Sequence, residues 1–541
     1  MGSQEVSDPQ DTQASPRGGR LGQHDRDAQD PWKGLRVTVA GLGVSGVSAA
    51  RALAGLGAVV TVVDGGSGPA LEARAAELAE AGVAVRLGDA ATLPEGTGLV
   101  VTSPGWKPDS PLFAHAAAAG VDVIGDVELA WRLRGPDAAP WLAVTGTNGK
   151  TTTTRMLASI LRAAGLRTAA VGNIGTPIVD VILEDRAARA ARAADGTDGQ
   201  PTGKPHEADD APGAYDVLAV ELSSYQLHWA PSLRAHSAAV LNLAPDHLDW
   251  HGSMEAYAAD KGRIYEGNQV ACVYNAADAR TEDLVRAADV AEGCRAIGFT
   301  LGTPAPSQLG VVEGILVDRA FVPDRQKQAQ ELAEVSDVLP PAARHRPSEE
   351  GASRPLKPAP HNIANALAAA ALARAFGVAP AAVRDGLRAF RPDAHRIEHV
   401  ADVAGVAYVD DSKATNTHAA EASLAAYESI VWIAGGLAKG ATFDELVAAS
   451  AKRLRGAVLI GADRALIREA LARHAPEVPV VDLDRTDTGA MAEAVRQAAR
   501  LATPGDTVLM APACASMDMF TNYNQRGDAF AEAVRELGAS A

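Results

Sequence analysis

Short β-branched runs alternate with stretches rich in alanine, leucine, glutamate and arginine, and this rhythm starts three times along the chain. Residues 37–40, 59–63, 83–85 and 99–101 make the first series. Residues 141–145, 217–221 and 239–243 make the second, and 406–410, 430–434, 458–460, 478–483 and 507–511 the third. Strands that are each followed by a helix pair in parallel, and the sheet they build needs helices on both faces. Three starts predict an α/β protein of three domains, and 541 residues are too many for one hydrophobic core. The expected divisions are 34–139, 140–393 and 394–541. Three stretches break the rhythm. Residues 1–33 have almost no large apolar side chains and predict a disordered tail. Those near 185–213 and 302–358 are similarly poor and read as surface insertions in the middle domain.

A formal charge of −17 argues against a non-specific nucleic-acid surface, although local cations and backbone amides can still bind phosphate. Cys272, Cys294 and Cys514 are odd in number and form no Cys-x-x-Cys pair, which fits a reduced compartment better than a disulfide frame. The N-terminus carries no basic segment leading into an apolar one, and no apolar run approaches the roughly 20 residues of a membrane helix. The expectation is a cytoplasmic monomer that binds neither nucleic acid nor membrane.

Two strand ends lead into phosphate-type turns. Gly41-Leu42-Gly43-Val44-Ser45-Gly46 precedes a helix expected near Val47, and Asp64 closes the next strand, where a ribose-binding acid sits in dinucleotide-binding folds. Alone, this turn fits a dehydrogenase or a plain structural turn. The second is more particular: Thr145-Gly146-Thr147-Asn148-Gly149-Lys150-Thr151-Thr152 joins the strand at 141–145 to a helix expected over 153–164. A glycine-flanked lysine there can cradle β- and γ-phosphates, and the next hydroxyl can ligate Mg2+. The usual pattern has glycine six positions before the lysine, where this chain has Val144, so the loop is a shortened variant. Of the 50 Lys and Arg residues only ten are lysine, and Lys150, Lys261, Lys413 and Lys439 all sit beside glycine, acid or hydroxyl residues.

The string from Thr145 to Thr152 resembles the ATP loop of the Mur ligase family. Glu221-Leu222-Ser223-Ser224-Tyr225-Gln226-Leu227 is similar to its acidic strand end, Asn242 to Asp249 to the following strand end with His247, and His361-Asn362-Ile363-Ala364-Asn365-Ala366 to a nucleotide-contacting helix start. Asp411-Ser412-Lys413-Ala414-Thr415-Asn416, Gly435 to Gly440, Pro512 to Asp518 and Asn522 to Gly527 resemble the D-glutamate-adding branch. No Asn-Pro-Arg string of the branch that adds diaminopimelate or lysine is present. The resemblance implies a Rossmann-like N-terminal domain, a central P-loop ATPase-like domain and a Rossmann-like C-terminal domain. One departure concerns the first: Gly65-Gly66 follow Asp64, where the family often has a polar residue.

The resemblance also implies an activity and its residues. ATP would phosphorylate the L-alanine carboxylate of UDP-N-acetylmuramoyl-L-alanine, and the amine of D-glutamate would displace phosphate from the acyl phosphate. Gly146, Thr147, Asn148, Gly149, Lys150, Thr151, Thr152, Asn365, Arg396 and Asp411 would bind ATP. Thr151, Glu221, His247 and Lys261 would hold Mg2+, with Lys261 carbamylated by CO2, since an ammonium repels a cation and a carbamate offers oxygen. Lys150, Glu221, His247 and Lys261 would be catalytic. Val44, Ser45, Asn173, Ser223, Lys413, Thr415, Lys439, Ser516 and Tyr523 would contact the substrates. A dehydrogenase would leave the Lys150 loop idle, and a nucleotide-switch module would not need His247. A folylpolyglutamate-type ligase would share the ATP loop but not the first domain.

Overall fold

The computed structural model describes residues 31–194, 214–339, 358–392, 394–485, 487 and 489–540. The expected tail through residue 30 and the parts of the two insertions at 195–213 and 340–357 lie outside the described residues.

Three sheets follow one another along the chain. The first runs in the order Ala84–Leu87, Val59–Asp64, Arg36–Ala40, Leu99–Thr102, Asp122–Gly125, and all its pairings are parallel. The direction of winding reverses between Arg36–Ala40 and Leu99–Thr102, where open α/β sheets leave a crevice. The second sheet has nine strands with Trp141–Thr145 between Leu218–Glu221 and Ser237–Val240. The third has six, with Thr507–Met510 between Val406–Asp410 and Ile430–Gly435. Central strands are buried along their whole length, as Trp141-Leu142-Ala143-Val144-Thr145 shows, because helices cover both faces.

Alanine and glycine set the helix spacing in the middle unit. Helix Pro360–Ala375 is buried without a break from Asn365 to Ala373, so its small side chains meet sheet and helix on every side. A Cβ at Gly386 would lie 2.3 Å from the Cα of Ile160, so helix Pro380–Ala389 can lie against helix Lys150–Ala163 only because that atom is missing. These two helices press on the one that begins at the phosphate-type turn and hold its N-terminus in register with the strand ends.

Several expectations change. The stretch 302–358 is not an insertion throughout: Gln308–Val312, Ile315–Asp318 and Gln330–Glu334 extend the central sheet, the last two by antiparallel pairing. Only Gln330–Glu334, the strand at the sheet edge, is largely polar, and Leu309, Leu316 and Leu332 are core residues. The region near 185 is likewise helical through Ala194. Asp185 is buried, accepts the Tyr215 amide at 2.7 Å and pairs with Arg189 one turn on at 2.9 Å. The helices expected from Val47 and Thr153 begin earlier, at Val44 and Lys150, directly on their glycine turns.

Candidate active site between the middle and third sheets

Strand Trp141–Thr145 ends at Gly146, and the chain turns through Gly149, a left-handed residue at φ 84°, into helix Lys150–Ala163. No side chain caps that helix, so its first amides are available to an anion. Asn242 grips the turn from the neighbouring strand end: its Oδ1 accepts the Asn148 amide at 2.9 Å, and its Nδ2 donates to the Asn148 carbonyl at 3.1 Å. Thr147 is tied to Tyr257 at 2.9 Å and accepts the Ala244 amide at 3.0 Å. Lys150 curls back, its Nζ donating to the carbonyls of Gly146 and Thr147 at 2.9 Å each, and burial lowers its pKa.

Beside this turn stand the groups expected to face a metal. Glu221 closes strand Leu218–Glu221 and is 2 % exposed. Its Oε1 accepts Asn173 Nδ2 at 2.9 Å, while its Oε2 is buried with no protein partner. A buried carboxylate oxygen without a donor is costly unless a cation meets it. With the Thr151 hydroxyl close by in the same cleft, the oxygen donors suit Mg2+, and the residues fit that ion. His247 is a left-handed residue at φ 54°, with Nε2 3.4 Å from Asp246. Burial holds its imidazole below the ordinary histidine range, which leaves a nitrogen lone pair for a ligand.

Lys261 lies under the turn, 2 % exposed, with Nζ donating to the Gly146 carbonyl at 2.9 Å and to Thr145 Oγ1 at 3.3 Å. Burial first, and the charge of Lys150 second, push its pKa well below that of a free lysine. The neutral amine so favoured is the form that combines with CO2. Next to it, burial pushes Asp260 up, but hydrogen bonds from His228 and His251 outweigh it and hold the carboxyl at about 2.

A cleft of about 1700 Å³ runs from this turn to the third sheet. Thr147 to Thr152, Asn173, Glu221, His247, Asn365, Arg396, Asp411, Lys413, Thr415 and Lys439 all line it. Arg396 crosses the junction, with Nη1 3.3 Å from Thr152 Oγ1 and a buried Nε that has no protein partner. Burial pushes Asp411 up to about 6, against a hydrogen bond from Ser423. Lys413 lies 3.8 Å over the ring of Tyr523, and Lys439 sits at φ 50° after the Gly435-Gly436 turn.

Other expected residues lie elsewhere. Gly146 and Lys261 form the floor beneath the cleft, where the Gly146 carbonyl takes up both lysines. Ser223 is spent as a helix cap: its Oγ accepts the Gln226 amide at 3.2 Å. Ser516 is buried just behind Ala515, which lines the cleft and pairs with Leu437. Val44 and Ser45 stand at the crevice of the first sheet, with Val44 67 % exposed. Asp64 holds its own turn, its two oxygens accepting the amides of Leu42 at 2.7 Å and Gly66 at 2.8 Å.

Sequence reasoning passed over Asn242 and Arg526 although both lie in strings that drew attention. Arg526 is 1 % exposed and donates to Ser412 Oγ at 3.0 Å, the Ser412 carbonyl at 2.8 Å and the Cys514 carbonyl at 3.1 Å. It ties the Lys413 loop to the Ser516 loop. A lone arginine inside a polar string carries no sign of that burial.

Three family descriptions match the chain in order: "Mur ligase MurD-like, N-terminal domain" over residues 35–125, "Mur ligase middle domain" over 144–373 and "Mur ligase, glutamate ligase domain" over 395–514. The chain is 75 % identical over 508 residues to the UDP-N-acetylmuramoylalanine–D-glutamate ligase of Streptomyces avermitilis, covering 94 % of this chain and 99 % of the relative. It is 57 % identical over 506 residues to the ligase of the same name from Thermobifida fusca, covering 93 % and 99 %. The fold is shared with UDP-N-acetylmuramate-alanine ligase MurC of Thermotoga maritima, at a TM-score of 0.51 and 16 % identity over 93 % of this chain and 99 % of that one. MurF ligase of Thermotoga maritima in complex with ADP aligns with a TM-score of 0.52 and 15 % identity over 89 % and 96 %. On the shared domains and this identity along nearly its whole length, the chain belongs to the Mur ligase family.

Proposed function

We propose that the chain joins the amine of D-glutamate to the L-alanine carboxylate of UDP-N-acetylmuramoyl-L-alanine, converting ATP to ADP and phosphate, as a step of cytoplasmic peptidoglycan precursor synthesis. The observation that carries this reading is the single cleft that gathers Lys150, Glu221 and His247 on one side and Arg396, Lys413, Thr415 and Lys439 on the other.

A carboxylate resists amines at neutral pH because oxide is a poor leaving group. Transfer of the γ-phosphoryl group to it gives an acyl phosphate, and attack by the amine then expels phosphate through a tetrahedral intermediate. The protein's task is to position anions and neutralise charge. Lys150 would leave its loop carbonyls for the β- and γ-phosphates, with the amides of Asn148 to Thr152 around them. Asn365, Arg396 and Asp411 would orient the nucleotide across the junction. Thr151, Glu221, His247 and a carbamate on Lys261 would hold Mg2+, which supplies charge neutralisation at the transferring oxygens. Lys413, Thr415, Lys439, Ser516 and Tyr523 would seat D-glutamate, and Asn173 and Ser223 the L-alanine end. Val44 and Ser45, at the crevice of the first sheet, would meet the UDP moiety.

Phosphate release with ATP, Mg2+ and UDP-N-acetylmuramoyl-L-alanine tests the reading. D-glutamate should start turnover, and equal or faster turnover with L-glutamate, L-lysine or meso-diaminopimelate would defeat it.

A further inference from the structure

Ser224, His228, His251 and Asp260, drawn from three short helices, meet on the far side of the groups assigned to Mg2+. Asp260, 6 % exposed, accepts hydrogen bonds from His228 Nδ1 at 2.9 Å and from His251 Nδ1 at 3.0 Å, and Arg263 Nε lies 3.2 Å from its other oxygen. When its Nδ1 proton goes to Asp260, His251 can accept at Nε2 from Ser224 Oγ, 2.9 Å away. The His251 side chain is wholly buried and stacks on Tyr225 at an interplanar angle of 7°. A Ser–His–Asp order also occurs in hydrolases, but Ser224 is 1 % exposed, so no acyl group can reach its hydroxyl.

The placement of the four residues suggests their role. Ser224 opens the short helix that begins three residues after Glu221. His251 ends the single-turn helix Leu248–His251, whose N-cap is His247. Asp260 directly precedes Lys261 on helix Met254–Gly262. The single-turn helix counts no residue among the core, and His247 before it is held at a left-handed φ of 54°. A strained residue at the start of a single helical turn stays in place only if other contacts hold it.

We propose that Asp260 is a positioning residue for the ligation: through His228, His251 and Ser224 it clamps the segments that carry Glu221, His247 and Lys261 into one wall of the cleft. This rests on the reading of those three as the groups that face the metal. Partners of this kind behind metal-binding side chains are worth roughly 10- to 100-fold in affinity or turnover. The turn at Gly146 to Thr152 and the residues Asn365 and Arg396 have their own supports, so nucleotide affinity should not depend on the clamp.

The test uses Asp260→Asn, which keeps the shape but removes the charge and turns one of the two acceptor oxygens into a donor, and Ser224→Ala, which removes only the hydroxyl at the end of the chain of bonds. Wild-type protein is first shown to ligate D-glutamate; failure there refutes the proposed function and not the clamp. In Asp260→Asn, kcat should fall at least tenfold, and Mn2+ affinity, measured by electron paramagnetic resonance with ADP present, should weaken at least threefold. ADP affinity by calorimetry should stay within twofold. Ser224→Ala should move Mn2+ affinity and kcat in the same direction by less. Wild-type values of kcat and Mn2+ affinity in Asp260→Asn would overturn the proposal. So would a loss of ADP affinity that matches the loss of Mn2+ affinity in both variants, because that pattern marks general loosening.

Discussion

Gly149→Ala separates backbone strain from damage to the nucleotide cradle. Gly149 has φ 84°, where an alanine costs about 1–2 kcal/mol. The new Cβ would also lie 2.4 Å from Asn365 Oδ1, about 1 Å short of ordinary contact. Either the Asn365 side chain swings into the cleft it lines or the turn gives way with the amides of Asn148 to Lys150, and both displace a group of the nucleotide site. A displacement of about 1 Å in a catalytic group costs on the order of 100-fold. Gly165 provides the control: its φ is 77°, yet nothing lies within 4 Å of its Cβ position. Both variants carry the same backbone strain, and only Gly149→Ala adds the clash. In a coupled assay of ADP formation, Gly149→Ala should lose about 100-fold in kcat/KM for ATP, while Gly165→Ala stays within threefold of wild type. Equal kcat/KM in the two variants would refute the reasoning that Gly149 and Asn365 together shape the phosphate site.

Lys261→Ala should be inactive and partly rescued by short carboxylic acids that supply the missing oxygens; full activity without them would exclude a carbamate. Lys439→Ala and Ser516→Ala should raise the KM for D-glutamate, with a lost charged contact at Lys439 worth about 2–3 kcal/mol or roughly 30- to 150-fold, and leave that for ATP nearly unchanged. Asp411 predicts a pH effect on stability. Its folded pKa of about 6 lies above the unfolded 3.8, so the native state binds more protons between those values. Stability should therefore fall as pH rises from about 4 to 6, by up to about 3 kcal/mol, and denaturant titrations of Asp411→Asn should lack that fall. An identical pH dependence in the two proteins would contradict the assignment.

Buried central strands were legible because their apolar runs are unbroken, and 141–145 and 406–410 match their observed bounds. Strands at sheet edges were not. Glu398–Val403 exposes its three polar residues, Glu398, His399 and Asp402, and pairs antiparallel outside the strand-helix rhythm, and Gln330–Glu334 reads as a linker until its partner is known. Ala170–Gly172 is three residues long, too short for any period. In the cleft, strings at strand ends pointed to Lys150, Glu221 and His247, since such a site draws on residues next to one another in sequence. The burial of Lys261 and the meeting of Ser224, His228, His251 and Asp260 depend on tertiary packing, which no local pattern encodes. Ser223 also caps its own helix, a task that a hydroxyl in a site-like string does not announce.

The central claim is that this cleft activates the L-alanine carboxylate and hands it to D-glutamate. It is tested most directly with UDP-N-acetylmuramoyl-L-alanine carrying 18O in that carboxylate, ATP, Mg2+ and D-glutamate, followed by mass analysis of the phosphate released. An acyl phosphate passes one carboxylate oxygen to phosphate when the amide forms. The account predicts one 18O in each phosphate with D-glutamate and no release with Lys150→Ala, where a lost charge contact should cost about 3 kcal/mol or more. Unlabelled phosphate accompanying product, or near-normal release by Lys150→Ala, would contradict it.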